Sequence, residues 1–287
     1  MKKYFQITGV ALIVGIIMTL IGWGNKGVKP VIDNHDHFTF TAIGNNKLTR
    51  KETINNNFNK IAIQAENSDF HIHSGNRFQI KVTGVNPNAV QVKVKDDTLN
   101  IYEPRPFAIN WRKINSKVDI TIPKKHKLVE TFVASSGNIK VDNLTMTRLF
   151  ISTLTGTITV DKITTKESDI QTEENYGLKT INSNLGNSSL TVDRGKLTID
   201  HCQLSAMGTS NSGDVYIANS RLLNKSQFDM DRGKFVLKNV PNLSYQLSAD
   251  GKAITYMGSK PYENFIKKTS DKNLLIVNSS EGTIIIE

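Results

Sequence analysis

Apolar and polar residues alternate through the second half of the chain, in short stretches that each begin at a glycine. The residues two and four positions after the glycine are apolar, and the residue between them is usually polar. Apolar residues with a period of two predict β-strands with one buried face. These apolar pairs are Ile139/Val141, Ile158/Val160, Leu197/Ile199, Val215/Ile217, Phe235/Leu237 and Ile284/Ile286.

The stretches form a repeat. Successive glycines follow one another at intervals of 18 to 21 residues, and Gly282 begins the final copy; the earlier ones are Gly137, Gly156, Gly177, Gly195, Gly213, Gly233 and Gly251. A period of this length is typical of a solenoid. A second alternating stretch precedes several glycines, as in Leu190/Val192, so one turn of chain holds two strands and a corner. The fold class predicted is all-β: a single-stranded parallel β-helix or β-solenoid with rungs of about 20 residues, preceded by one N-terminal transmembrane helix.

Stacking of equivalent residues on successive rungs predicts an internal ladder, because one turn cannot bury its apolar face alone. The ladder should contain Val141, Val160, Ile181, Ile199 and Ile217, and eight rungs would span roughly 35–40 Å. Lys179 falls in an inward position of a degraded copy, and the glycines are expected at the corners, where a missing Cβ is an advantage. Cys202 is the only cysteine, and its place in the repeat predicts a small buried residue rather than a reactive thiol.

The N-terminus carries an apolar segment. Residues Phe5 to Trp23 contain no charge, follow Lys2 and Lys3, and are long enough to span a bilayer as a helix. A cleaved signal peptide is the alternative, but no small-residue cleavage site follows. The sequence thus predicts a single-pass anchor at residues 1–24, with the large domain extracytoplasmic. A polar linker at 25–57, an N-terminal β part at 58–130 and the β-solenoid repeats at 131–287 would follow.

Positive charge is concentrated before the repeats. The net charge of the chain is +10, and residues 1–130 hold 19 Lys and Arg against 10 Asp and Glu. We do not expect nucleic acid as a partner, because a membrane segment begins the chain. A basic loop at 104–117 and the turn after it favour an anionic polymer or lipid surface. The candidate residues are Arg105, Phe107, Trp111, Arg112, Lys113, Lys117, Lys124, Lys125 and Lys127.

Two groups of residues have the composition of a metal site. His35, Asp36 and His37 lie in the linker, and no further ligand is implied by their spacing. Asp69, His71 and His73 alternate along one strand and therefore share a face. Both groups also suit a solvated surface, and this interpretation is preferred, so no metal or other cofactor is predicted.

The run from Val118 to Leu144 combines a strand that ends in Ile-Pro with the turn Ser136-Gly137-Asn138-Ile139. It resembles the Gram-positive "putative adhesin" family of β-strand-repeat proteins, some of which accompany Lia-type cell-envelope stress systems. Related turns recur at Gly156, Gly213 and Gly282. The resemblance covers about residues 58–287 and implies the solenoid fold and an envelope location. The resemblance implies no catalytic residues, and the family includes domains of unknown function.

Two aspartates of the repeat bear on whether the protein is an enzyme. Asp142 and Asp161 occupy equivalent positions and should lie about 5 Å apart, as the carboxylates of a retaining glycosidase do. Aspartate also suits a turn at this position, and no nucleophile or phosphate-loop motif occurs. The sequence favours a non-catalytic, adhesin-like or envelope-stress-associated binding protein, with a membrane sensor protein as a further candidate partner. The alternative is a carbohydrate-active β-helix enzyme that acts on an envelope polysaccharide.

Overall fold

The computed structural model describes residues 48–54, 57–66, 68–84, 87–103, 116–174, 176–251, 253–269 and 272–287. These residues belong to one compact unit and are built from short strands. In chain order the first thirteen are β1 (Leu48–Thr53), β2 (Lys60–Ala65), β3 (Ser68–Gly75), β4 (Gln79–Gly84), β5 (Gln91–Lys95), β6 (Thr98–Tyr102), β7 (Ser116–Pro123), β8 (Leu128–Ser135), β9 (Ile139–Asp142), β10 (Met146–Thr153), β11 (Ile158–Asp161), β12 (Glu167–Thr172) and β13 (Leu178–Ile181). The remaining strands are β14 (Asn184–Val192), β15 (Lys196–Asp200), β16 (Gln203–Ser210), β17 (Asp214–Ala218), β18 (Arg221–Leu222), β19 (Lys225–Met230), β20 (Lys234–Lys238), β21 (Ser244–Ala249), β22 (Ile254–Tyr256), β23 (Asn264–Lys267), β24 (Leu274–Ser279) and β25 (Thr283–Ile286).

The strands form two long sheets, and the predicted all-β, solenoid-like architecture is confirmed at this level. One sheet has the order β1-β4-β7-β3-β9-β11-β13-β15-β17-β20-β25-β22. The other has the order β23-β21-β24-β19-β16-β14-β12-β10-β8-β2-β6-β5, with the short β18 beside β16. Each rung gives one strand to each sheet, and the strands of neighbouring rungs are parallel. Antiparallel strands occur only towards the ends of these sheets.

The core lies between the two sheets. In the first sheet the residues two and four positions after the repeat glycine face inward, and Ile158, Val160, Val215 and Ile217 are at most 1% exposed. Parallel register places Ile158 beside Ile139 and Val160 beside Val141. The intervening residues, such as Thr159, lie on the outer face. The period of two therefore predicted the buried face of these rungs.

The order of the rungs at each end departs from chain order. The first rung of the chain, β2–β3, lies inside the stack, because β6 and β7 cover it on its outer side. The last rung, β24–β25, is likewise inserted between β19–β20 and β21–β22. Ten rungs result in the described part of the chain, which at the usual strand spacing gives a stack about 43 Å long. The repeat predicted eight rungs. The two further rungs are built from the N-terminal strands and were not predicted.

Two predictions about the degraded copy at Gly177 are wrong. Register pairs Val160 with Thr180 and Asp161 with Ile181. Thr180 is therefore the inward residue of the ladder, Ile181 is only half-buried at the rung edge, and Lys179 is exposed on the outer face. The physical reason is that this copy is shifted by one residue relative to its neighbours in the stack. The residue stacked on Gly195 is Tyr176 rather than Gly177, because a Cβ on Gly195 would meet the carbonyl oxygen of Tyr176.

The prediction that a missing Cβ is an advantage at the repeat glycines is confirmed, mainly through close approach of the backbone. Most repeat glycines have ordinary backbone angles and are needed for close approach, since a Cβ on Gly156 would meet the backbone carbonyl of Gly137. A left-handed corner lies six residues after the glycine, or five after Gly177, beyond the second strand. The residues there have φ between 48° and 61°; they are Asn143, Lys162, Asn182, His201, Asn219 and Asn239.

Several predicted segments lie outside the described residues: the anchor at 1–24, the His35–His37 group and most of the basic loop. No helix among the residues described has the length and hydrophobicity needed to cross a membrane. Strand β1 comes from the segment assigned to the linker and pairs with β4.

Candidate functional site

A cluster of histidine and aspartate side chains lies on the outer face of the first sheet, where β7, β3 and β9 are adjacent. Strand β3 supplies His71 and His73, because both alternate outward from the buried Phe70 and Ile72. Register places Asp119 of β7 opposite His71 on one side. On the other side of β3, Asp142 of β9 lies opposite His73. Three rungs thus contribute to one group of ionisable side chains.

Asp119 lies between the two histidine rings. His71 Nδ1 is 3.2 Å from one carboxylate oxygen of Asp119, and His73 Nε2 is 3.2 Å from the other. The rings of His71 and His73 stack with centroids 4.5 Å apart. Atoms of His71, His73 and Asp119 that could ligate a metal ion all lie within 4.8 Å of one another.

The remaining nitrogen of each ring also has a partner. His71 Nε2 is 2.6 Å from the carboxylate of Asp142, and His73 Nδ1 is 3.1 Å from the carbonyl oxygen of Ser74. A carbonyl or an ionised carboxylate only accepts hydrogen bonds, so each of these two ring nitrogens is the donor in its contact. His71 Nδ1 and His73 Nε2 face Asp119, and His73 Nε2 also lies 3.4 Å from the hydroxyl oxygen of Thr121.

Asp69 alternates with His71 and His73 along β3, as the sequence predicted, but it does not join the cluster. Its carboxylate accepts hydrogen bonds from the backbone N–H and the side-chain amide of Asn138, at 2.9 and 3.1 Å. Asp69 therefore ties the glycine turn of the next rung to β3. Asp119 and Asp142 take its place beside the histidines.

Lysines surround this cluster. Lys51, Lys81, Lys117 and Lys140 are all exposed and lie on strands β1, β4, β7 and β9 of the same sheet. Lys140 Nζ lies 3.1 Å from the Asp142 carboxylate. Lys51, Lys81 and Lys117 form no ion pair with another residue that the structure describes.

The residues predicted to bind an anionic surface fall into two groups. Lys117 is exposed in β7, and Lys124, Lys125 and Lys127 are exposed in the turn between β7 and β8. Arg105, Phe107, Trp111, Arg112 and Lys113 lie outside the described residues. Lys81, Lys51 and Lys140 were not predicted, because the sequence does not show that β1, β4 and β9 lie close to β7.

The carboxylate pair considered for glycoside cleavage is present in register. Asp142 and Asp161 are direct partners on β9 and β11. A catalytic acid needs a raised pKa. Burial acts to raise the pKa of Asp142, but hydrogen bonds from His71 and Lys140 outweigh it and hold that pKa below 3.8. Asp161 accepts a hydrogen bond from the side chain of Asn182 at 3.1 Å, so both carboxylates have partners suited to a charged acceptor.

Cys202 is buried, as predicted. Its side chain is 3% exposed, with Sγ 3.2 Å from the carbonyl oxygen of Asp200. Burial raises the pKa of the thiol above 9.0. Raising the pKa lowers the fraction of reactive thiolate.

Sequence reasoning identified His71 and His73 but missed Asp119 as their partner. The alternation Val118-Asp119-Ile120 indicates that Asp119 faces outward. The sequence carries no signal that β7 pairs with β3, because that pairing joins residues 48 positions apart, as between His71 and Asp119.

Comparisons with known proteins agree with the fold. Residues 58–286 match the model of the family Toastrack DUF4097. A crystal structure of a "putative adhesin" from Bacteroides fragilis is similar, with a TM-score of 0.53 and 16% identity over 85% of this chain and 99% of that chain. A "putative adhesin" from Parabacteroides distasonis gives a TM-score of 0.49 and 14% identity over 84% and 97% of the two chains. Comparison with curated proteins gives no match.

Proposed function

The chain belongs to the Toastrack DUF4097 family, a family of unknown function, and we propose that it is a non-catalytic, adhesin-like binding protein of the cell envelope. Its N-terminal segment anchors it in the membrane as a single-pass protein, and the two-sheet stack is extracytoplasmic. The stack binds an anionic envelope polymer through the basic surface, defined here as Lys51, Lys81, Lys117 and Lys140 with the turn lysines Lys124, Lys125 and Lys127.

The observation that supports this proposal is the arrangement of lysines around the histidine cluster. Lys51 is the register partner of Lys81, and Lys81 is the partner of Asp119 in β7. Lys140 is the partner of His71. These strands come from distant parts of the chain, and neighbouring strands lie about 4.8 Å apart. Several cations therefore occupy a small area of one rigid sheet.

An anionic polymer suits this surface physically. Each lysine close to a surface of negative charge contributes about 1 kcal/mol, and this attraction fades within a Debye length. A domain held outside a membrane by an anchor would meet polymer phosphates and lipid headgroups at that distance. Because Lys51, Lys81, Lys117 and Lys140 project from paired strands, little ordering of backbone is needed on binding at these positions.

Binding is tested with the full chain in discs of neutral lipid. Purified teichoic acid is titrated across a salt series, with Lys81, Lys117 and Lys140 replaced together by Gln in the variant. We expect binding to weaken roughly 10- to 100-fold at low salt and its salt dependence to flatten. The matched control replaces Lys179, Lys196 and Lys234, which are exposed on rungs further along the sheet, and should bind as the unmodified chain does.

Two further experiments test which ligand is bound and whether the basic loop contributes to binding. Anionic and neutral vesicles replace the polymer to distinguish a lipid surface from a polymer ligand. Arg112→Gln with Lys113→Gln tests the basic loop outside the described residues. Equal loss in the variant and its charge-matched control, or binding indifferent to salt, would contradict the proposed surface.

Anchoring is tested by fractionation. The intact chain should sediment with membranes, and external protease should reach the stack in whole cells. Recovery from the medium of a mature chain that starts after Trp23 would favour the cleaved signal peptide instead.

A further inference from the structure

We propose that His71, His73 and Asp119 bind a single Zn²⁺ ion on the outer face of the first sheet, with Asp142 as the partner that orients His71. This site is distinct from the polymer-binding activity proposed above and does not depend on it.

The first argument is electrostatic. The proton on His71 Nε2 is held by the Asp142 carboxylate at 2.6 Å, and the proton on His73 Nδ1 is held by the Ser74 carbonyl at 3.1 Å. In neutral rings the opposite nitrogens then carry lone pairs. Both of these lone pairs point at the carboxylate oxygens of Asp119, at 3.2 Å each. In this tautomeric state two lone pairs and a carboxylate face one another, and a cation between them would satisfy all three groups.

Protons fill this arrangement only when His71 alone is an imidazolium ion. It then donates to Asp119 and Asp142, and His73 Nε2 accepts from the Thr121 hydroxyl over 3.4 Å. If both rings were imidazolium ions, two positive charges would stack with centroids 4.5 Å apart and repel each other. A divalent cation satisfies Asp119 and both rings while the rings stay neutral.

The second argument is geometric. Zn²⁺ binds histidine nitrogen and carboxylate oxygen at about 2.0–2.2 Å, which places neighbouring tetrahedral ligands about 3.3–3.5 Å apart. His71 Nδ1 and His73 Nε2 each lie 3.2 Å from a different carboxylate oxygen of Asp119, which is close to that spacing, and one ligand atom from each of the three residues lies within 4.8 Å of the others. The ligands lie on β3 and β7, whose backbones are fixed by parallel pairing along eight residues.

The third argument concerns the residues behind the ligands. Histidines that bind zinc commonly donate their other ring N–H to a carboxylate or a backbone carbonyl, which fixes the tautomer and the orientation of the ring. His71 has the first kind of partner and His73 has the second. Two nitrogens and one carboxylate are a ligand set that zinc accepts, and they leave a fourth position for water or for an anionic oxygen.

Metal binding is measured on the purified full chain in detergent after removal of metals. Titration calorimetry with ZnCl₂ should give one tight site per chain. Co²⁺ should give the strong visible absorption of a four-coordinate ion. His73→Gln and Asp119→Asn should each abolish that absorption, while circular dichroism shows the β-strand content unchanged, since these side chains lie on the outer face.

Matched variants separate the site from general charge effects. Asp142→Asn should weaken Zn²⁺ binding by about 10- to 100-fold, and Asp161→Asn, the equivalent residue on the next rung, should leave it unchanged. The double variant His35→Gln, His37→Gln should keep the site. Equal Zn²⁺ affinity in the unmodified chain, His73→Gln and Asp119→Asn would overturn the proposal, as would loss of all binding in the His35/His37 double variant.

Discussion

The side-chain amide of Asn182 donates a hydrogen bond to the carboxylate of Asp161, one rung away, over 3.1 Å. The same contact recurs between Asn219 and Asp200 at 3.0 Å, and Asn239 continues the column to Asn219. The donors all lie at the left-handed corner, where φ is 48° to 51°. Asparagine suits this position because it tolerates positive φ and can bridge to the neighbouring rung.

Lys162 occupies the same corner with φ of 53°, and its long side chain has no such advantage. We expect Lys162→Asn to stabilise the stack by about 0.5–1 kcal/mol, because asparagine adopts the left-handed conformation at lower cost. The midpoint temperature of thermal unfolding should rise by roughly 1–4 °C. Lys179→Asn is the control, since Lys179 lies in a strand with ordinary backbone angles. A rise in stability for Lys179→Asn would contradict the explanation that asparagine stabilises the corner by tolerating positive φ.

The two faces of β11 should respond differently to charge. Ile158 is fully buried and Thr159 lies on the outer face. Ile158→Asp places an unpaired carboxylate in the core and should cost several kcal/mol, enough to unfold many domains. Thr159→Asp should change the melting temperature by only a few degrees. Similar melting temperatures for the two variants would show that the inward face has been assigned wrongly.

The stacked glycines should be sensitive to the smallest side chain. A Cβ on Gly156 would overlap the backbone carbonyl of Gly137, whereas a Cβ on Gly177 would lie 3.1 Å from the carbonyl oxygen of Lys196. Gly156→Ala should therefore lower the free energy of unfolding by about 2–4 kcal/mol, because two rungs are displaced. Gly177→Ala should lower it by clearly less. Urea unfolding of both variants compares them directly. A smaller loss for Gly156→Ala than for Gly177→Ala would contradict close approach as the role of the repeat glycine.

Cys202 should make stability depend on alkaline pH. Because burial raises its pKa above the unfolded value of 9.0, the folded state holds the thiol proton more tightly than the unfolded state. This contribution is fully present below pH 9.0 and is lost as pH rises through the folded pKa, at about 1.4 kcal/mol per pH unit. Unfolding free energies of the unmodified chain and Cys202→Ala should converge or cross between neutral and alkaline pH.

A thiol reagent provides the second measurement. Native Cys202 should resist alkylation at neutral pH and react at once in denaturant. Rapid modification of the folded chain would show that the thiol is accessible, contrary to its 3% exposure.

The sequence by itself determined the repeating unit of this protein. Alternation with a period of two identified the inward residues of most rungs, as at Ile158 and Val215, because a strand has only two faces and burial selects the apolar one. The glycine spacing gave the rung length, and the isolated Cys202 was correctly placed in the core. The degraded copy at Gly177 defeated the same reasoning, since a shift of one residue exchanges the two faces and Thr180 replaced Ile181.

Only the tertiary structure decided which rungs are neighbours. Periodicity describes one turn of chain at a time and carries no information about pairing across long loops. Insertion of β2–β3 behind β6–β7 brings Asp119 to His71 across 48 positions of sequence, and Lys81 lies beside Asp119 on the other side of β7. The candidate site therefore depends on the exchanged order of the rungs at the N-terminal end, whereas most rungs of the stack that supports it follow from hydrophobic alternation and glycine spacing.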